Sequence, residues 1–100
     1  MRIYISGPIT GEENFIETFD RAAELWRGRG HQVINPAHMS RVISDASWED
    51  FMELDLDLLA RCDAIYMLRG WKKSRGALKE YGYAMGAGML IVEEEMLDEG

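Results

Sequence analysis

Ala64-Ile65-Tyr66-Met67-Leu68 is the stretch that decides the fold. Five apolar residues run together without polar alternation, so a strand formed here must be covered on both faces. Before it, residues 48–62 carry apolar side chains at helical spacing, opened by Ser47-Trp48-Glu49-Asp50, which has the form of a capping box. After it, Arg69-Gly70-Trp71-Lys72-Lys73 reads as a loop, and Ser74 as the cap of a helix reaching about residue 87. The same alternation extends outward. Residues 3–6 form a first strand that ends at Gly7-Pro8. Phe15, Phe19, Ala22, Ala23 and Trp26 place a helix over 14–29, with Gly30 as its stop. Residues 32–34 form a second strand closed by Asn35-Pro36, residues 37–46 a loop, and residues 89–92 a further strand. Strand–helix alternation with short connections implies parallel strands and right-handed crossovers. The expected fold is α/β: a small doubly wound, flavodoxin- or Rossmann-like parallel sheet of four to five strands with helices on both faces. Ligands of such folds sit beyond the C-terminal strand ends, here the loops after Ser6, Ile34 and Leu68.

The chain has room for one domain: 100 residues, expected as a domain over 1–93 and an acidic, solvated tail over 94–100. With 18 Asp+Glu against 11 Lys+Arg the formal net charge is -7, which repels phosphate backbones and anionic membranes. Neither nucleic acid nor a membrane is an expected partner. The single cysteine, Cys62, excludes an internal disulfide framework and fits a reducing compartment. No apolar h-region opens the sequence, so a cytoplasmic location is expected. His31 and His38 stand in no metal-ligand spacing, so no metal is expected. Cys62 and the scattered methionines read as core. A sheet this small buries little core, which favours a homodimer or higher homo-oligomer.

Asp55 breaks the pattern of its helix. Phe51, Leu54, Leu58, Leu59 and Cys62 share an apolar arc, Glu49, Asp50, Glu53, Asp57 and Arg61 the polar one, and Asp55 falls inside the apolar arc. A carboxylate there needs a partner or a proton. Two readings stay open: a structural pair or cap, and a site carboxylate. In the next helix, Ala77, Leu78, Tyr81, Ala84, Met85 and Gly88 make the packing stripe, and Glu80 borders it. Of its neighbours one turn away, Gly76, Ala77 and Ala84 are small, which leaves a concavity around a carboxylate, although an ordinary surface Glu fits too. The loop Ser6-Gly7-Pro8-Ile9-Thr10-Gly11 is short and glycine-bearing, so its N–H groups suit an anion or sugar hydroxyl as well as a tight turn. Tyr4 by itself is a core tyrosine. Trp71 suits stacking on a planar base or packing on helix stems, and Lys72, Lys73 and Arg75 give its loop a local affinity for phosphate.

Taken together these residues resemble the nucleoside 2-deoxyribosyltransferase superfamily. The nearest likeness is to its small members, the 2′-deoxynucleoside 5′-phosphate N-hydrolases and the deoxyribosyltransferase-like proteins of phages and bacteria. It spans residues 2–93 and rests on residues 4–11, on Asn35-Pro36-Ala37, on Asp55 eight residues before Asp63, and on Ser74 six residues before Glu80. The resemblance implies that Glu80 is the nucleophile at C1′ of the sugar, that Asp55 contacts the sugar or assists the leaving base, and that Tyr4 orients Glu80. It implies that Ser74 meets the sugar end or phosphate. Two departures stand out: Thr10 where the phosphate hydrolases carry an arginine, and no clear counterpart in 93–100 of the Ser or Asn that reaches a neighbouring subunit's site.

The resemblance therefore implies cleavage of the N-glycosidic bond of a (deoxy)nucleoside or nucleoside 5′-monophosphate in the cytoplasm of a bacterium or phage-infected host. Hydrolysis is favoured over base transfer, and no metal or redox cofactor is implied. The candidate catalytic set is Glu80, Asp55 and Tyr4; the candidate substrate contacts are Ser6, Gly7, Ile9, Thr10, Gly11, Trp71, Ser74 and Gly76. A nucleotide-binding or sequestering module without turnover is the alternative, and a doubly wound interaction domain a third.

Overall fold

Strands and helices alternate along the chain in the computed structural model, which describes residues 1–43 and 45–98. The elements are β1 (Arg2–Ser6), α1 (Phe15–Gly28), β2 (Gln32–Ile34), α2 (Met39–Val42), α3 (Trp48–Leu59), β3 (Ala64–Met67), α4 (Arg75–Gly86), β4 (Leu90–Glu93) and α5 (Glu94–Asp98). The described residues build one four-stranded sheet in the order β2-β1-β3-β4, with every pair parallel. The strand order reverses between β1 and β3, and that switch point opens a crevice at their C-terminal ends.

Register explains what each face carries. Tyr4 pairs with Ile65 and Ser6 with Met67, while Ile3 pairs with Ala64 and Ile5 with Tyr66. Strand side chains alternate, so Tyr4, Ser6, Ile65 and Met67 share one face and Ile3, Ile5, Ala64 and Tyr66 the other. The second set packs with Phe19, Ala22 and Trp26 of α1. Tyr4, Ile65 and Met67 pack with Leu59 of α3 and with Ala77 and Ala84 of α4. Residues 64–68 are buried on both faces, as their unbroken apolar run requires.

Local signals act as their chemistry dictates. Ser47 Oγ accepts from Asp50 N at 3.1 Å and Asp50 Oδ2 accepts from Ser47 N at 3.0 Å, a closed capping box on α3. Gly30 follows α1 at φ 90°. Asp63 Oδ2 accepts from Arg2 N at 2.8 Å, which ties the start of β3 to the start of β1.

Three expectations need revision. Leu78 and Met85 are 46% and 59% exposed rather than part of the packing stripe, because α4 lies on the sheet along Ala77, Glu80 and Ala84. On α3 the buried residues are Met52 and Leu59, with Leu54 turned outward, so the inward arc is centred nearer Asp55 than the apolar count suggests. Residues 36–42 form a 3-10 turn and α2 in place of an open loop. At the C-terminal end α5 covers 94–98, while Glu99 and Gly100 of the expected tail lie outside the described residues.

The close approach of β1 and β3 dictates Gly7. A Cβ there would stand 2.7 Å from Leu68 Cβ and 2.9 Å from its Cδ1. Gly7→Ala should therefore destabilise the fold by about 1–3 kcal/mol, the usual cost of overpacking. Urea denaturation checks this, and an unchanged midpoint would contradict it.

Candidate active site

The fold brings two strand hydroxyls up against one helix carboxylate. Tyr4 Oη donates to Glu80 Oε2 at 2.5 Å and Ser6 Oγ donates to Glu80 Oε1 at 2.7 Å. Tyr4 and Ser6 are two residues apart on β1 and so point to the same face. Glu80 reaches them because α4 starts at a fixed point, where Ser74 Oγ accepts from Ala77 N at 3.2 Å. Glu80 is 5% exposed and Ser6 1%. Gly76 lets α3 approach: a Cβ there would stand 3.2 Å from Met52 Sδ. Asp55 on α3 lines the same cleft as Glu80.

This cleft, of about 1350 Å³, opens beyond the ends of β1, β2 and β3. The β1–α1 loop with Gly7, Ile9, Thr10 and Gly11 walls one side, and Trp48, Phe51 and Met52 of α3 another. Ser74, Gly76 and the cations Arg69, Lys73 and Arg75 line it around the start of α4. The β2–α2 connection is held by Asn35, whose Oδ1 accepts from Ala37 N at 3.1 Å and whose Nδ2 donates to Asp20 Oδ1 at 2.8 Å. Pro36 and Ala37 thereby become part of the wall. At the end of β4, Glu94 Oε1 accepts from Arg69 N at 2.8 Å and Glu93 Oε1 from Trp71 Nε1 at 3.2 Å. These two acids clasp the β3–α4 loop instead of forming a free tail.

The electrostatics follow from burial. Desolvation pushes the Glu80 carboxyl from 4.5 up to about 7; the Tyr4 and Ser6 hydrogen bonds oppose the rise and the Asp55 charge adds to it. Burial pushes Asp55 up to about 6, and its Oδ1 is buried with no hydrogen-bond partner among the described residues. The Tyr4 phenol is held well above 10, by burial first and then by the Glu80 and Asp55 charges, so it stays a neutral donor. Two carboxyls raised toward neutrality on facing helices titrate as a pair. Such a pair suits general acid–base or nucleophilic work.

Of the residues singled out in the sequence, Glu80, Asp55, Gly7, Ile9, Thr10, Gly11, Ser74 and Gly76 line the cleft, with Tyr4 and Ser6 behind Glu80. Two expected substrate contacts are placed otherwise. Trp71 is buried in the core, stacked on Tyr81 at 4.5 Å, and does not line the cleft. Ser6 has its hydroxyl committed to Glu80. The aromatic residue at the rim is Trp48, with the Arg75 guanidinium 3.9 Å over its ring. Its position seven residues before Asp55, two helical turns along one face, was the available signal. Among the described residues no three His, Cys, Asp or Glu are grouped to hold a metal ion, and no helix is long and apolar enough to cross a membrane.

This parallel sheet with its cleft is the 2-deoxyribosyltransferase fold. The 2-deoxyribosyltransferase of Bacillus psychrosaccharolyticus superposes with a TM-score of 0.75 at 20% identity, covering 93% of this chain and 71% of that one. The Leishmania mexicana 2-deoxyribosyltransferase superposes with a TM-score of 0.71 at 22% identity, covering 92% of this chain and 62% of that one. At such identity the likeness shows a shared fold, and this chain spans under two thirds of the second relative's length. The chain belongs to the DUF4406 family, a domain of unknown function, whose family model matches residues 1–93. No curated protein matches the chain significantly.

The buried carboxyl has a consequence for stability. The unfolded Glu80 ionises near 4.5, whereas the folded one keeps its proton to about 7. Stability is thus lost as pH rises from about 4.5 to 7, and the full loss persists above. Glu80→Gln lacks that loss, so its melting temperature relative to wild type should climb between pH 4.5 and 8. A flat difference across that range contradicts the assignment.

Proposed function

We propose that the chain cleaves the N-glycosidic bond of a nucleoside or nucleoside 5′-monophosphate, with water rather than a second base as the acceptor. The observation that carries this reading is Glu80, a buried carboxylate at the cleft with a hydrogen-bond donor on each oxygen. Two solved structures of the same fold are 2-deoxyribosyltransferases, which supports sugar–base chemistry.

Glu80 attacks C1′ as a carboxylate through an oxocarbenium-like transition state. The C1′–N bond breaks and its electron pair stays on the base nitrogen. The pair holds one proton in the reactive state, with Glu80 ionised and Asp55 protonated, and Asp55 hands that proton to the departing base. The product is an ester between Glu80 and C1′. Water then attacks C1′ while the Asp55 carboxylate takes its proton, which releases the sugar and restores both acids. Thr10 and the glycines of the β1–α1 loop supply sugar contacts, and Ser74 meets the 5′ end.

Chromatography of incubations with ribo- and deoxynucleosides and their monophosphates tests the reading. Wild type should release free base from at least one of them, and Glu80→Gln should lose about 10³-fold or more. Ligand-induced thermal stabilisation without any released base would instead favour a binding module.

The reactive state is the pair with a single proton, so the rate should pass through a maximum near pH 6–7 and fall on both sides. Asp55→Asn removes the negative charge that raises the Glu80 value, so the acid limb should move to lower pH while the rate falls. A limb that stays put or moves up would detach Asp55 from Glu80.

A further inference from the structure

We infer that Ser6 is a positioning residue for Glu80: its hydroxyl fixes one carboxylate oxygen and favours the ionised form that attacks. The inference rests on the nucleophile reading of Glu80 and goes beyond it by assigning a role to a side chain expected to touch substrate.

Ser6 sits where an apolar residue would be unremarked. It is 1% exposed at the end of a strand whose preceding residues, Tyr4 and Ile5, are fully buried. A hydroxyl buried in such a place needs a hydrogen-bond partner. Its Oγ lies 2.7 Å from Glu80 Oε1, while Tyr4 takes Oε2. Ser6 does not line the cleft, so its proton is directed at the carboxylate and not at a ligand.

The two hydroxyls divide the work by geometry. Each carboxylate oxygen accepts one bond from β1 and keeps further lone-pair directions for C1′. With one donor alone the carboxylate would be free to turn about its terminal torsion, which is broad for Glu. With two donors on one rigid strand it cannot turn without breaking a hydrogen bond to a charged group. The same two bonds favour the ionised state against burial.

The groups that set this balance can be named. Tyr4 and Ser6 face Glu80 from β1, and Asp55 from α3. Lys73 and Arg75 around the start of α4, and Glu12 and Glu13 in the β1–α1 loop, line the cleft at its rim. From β3 the neighbouring face presents Ile65 and Met67, which carry no charge.

Two measurements test the inference, and the first needs no turnover. Carbon-13 NMR of Glu-labelled protein follows the Glu80 carboxyl titration, assigned by its absence in Glu80→Gln. Ser6→Ala should raise the midpoint by about one pH unit or more, since one charge-assisted hydrogen bond is lost. Ser6→Cys, a near-isosteric weak donor, should fall between. An unchanged midpoint in both variants, with the fold retained, overturns the inference whatever the enzyme does.

The second measurement is the pH profile of base release. In Ser6→Ala the acid limb of kcat should move up by about one pH unit, a loss of about tenfold well below the maximum, with KM within about twofold of wild type. A loss at every pH with a raised KM would make Ser6 a substrate contact and overturn the inference. If the NMR midpoint moves but no nucleoside is cleaved by wild type, the nucleophile reading fails while the positioning of Glu80 by Ser6 stands.

Discussion

One buried carboxylate governs this small fold. Glu80 sits on the sheet-facing side of α4, at a place where its helix would otherwise present Ala77 and Ala84 to the core. Burying a carboxylate is costly unless hydrogen bonds and residual solvent access compensate it. β1 compensates with two hydroxyls, two residues apart on one face, each within hydrogen-bond reach of a different oxygen. The arrangement fixes much else. β1 must be central so that its face is covered, α4 must start at Ser74 so that Glu80 arrives opposite Tyr4 and Ser6, and Gly76 leaves room for Met52 of α3 beside the cleft. Several features that look local thus serve one electrostatic point.

The architecture is written plainly in the sequence because it depends on periodicity. The unbroken apolar run 64–68 requires a strand covered on both faces, and the regular alternation of patterns requires parallel connections. Ser47 and Ser74 mark their helix starts through chemistry that needs no tertiary context. What periodicity does not carry is where a sheet ends. Leu78 and Met85 read as core by spacing, yet they are exposed on α4. Apolar character shows that a face exists without showing that anything covers it.

The site is legible in its carboxylates and less so in its aromatics and hydroxyls. Asp55 and Glu80 betray themselves because charge is out of place where each stands. A tryptophan is at home in either a core or a cleft, so loop position alone does not show that Trp71 packs inside while Trp48 lines the cleft. Ser6 is ambiguous for a similar reason: a serine after a strand serves a ligand, a turn or a neighbouring side chain equally well. Only the register of β1 against β3 turns its hydroxyl under Glu80. Glu93 and Glu94 read as the edge of a solvated acidic run, whereas the structure uses them to hold the loop that bounds the cleft.

In the proposed reaction the sugar rests on Glu80 between its two halves. Acid-quenched turnover followed by intact-mass and peptide mass spectrometry reads this directly. A fraction of the protein should be heavier by one pentosyl unit, or by one phosphopentosyl unit with a monophosphate substrate, with the added mass on the peptide that contains Glu80 and absent from Glu80→Gln. Base released at full rate by Glu80→Gln, or a pentosyl unit found on Asp55 instead, would contradict the proposed reaction.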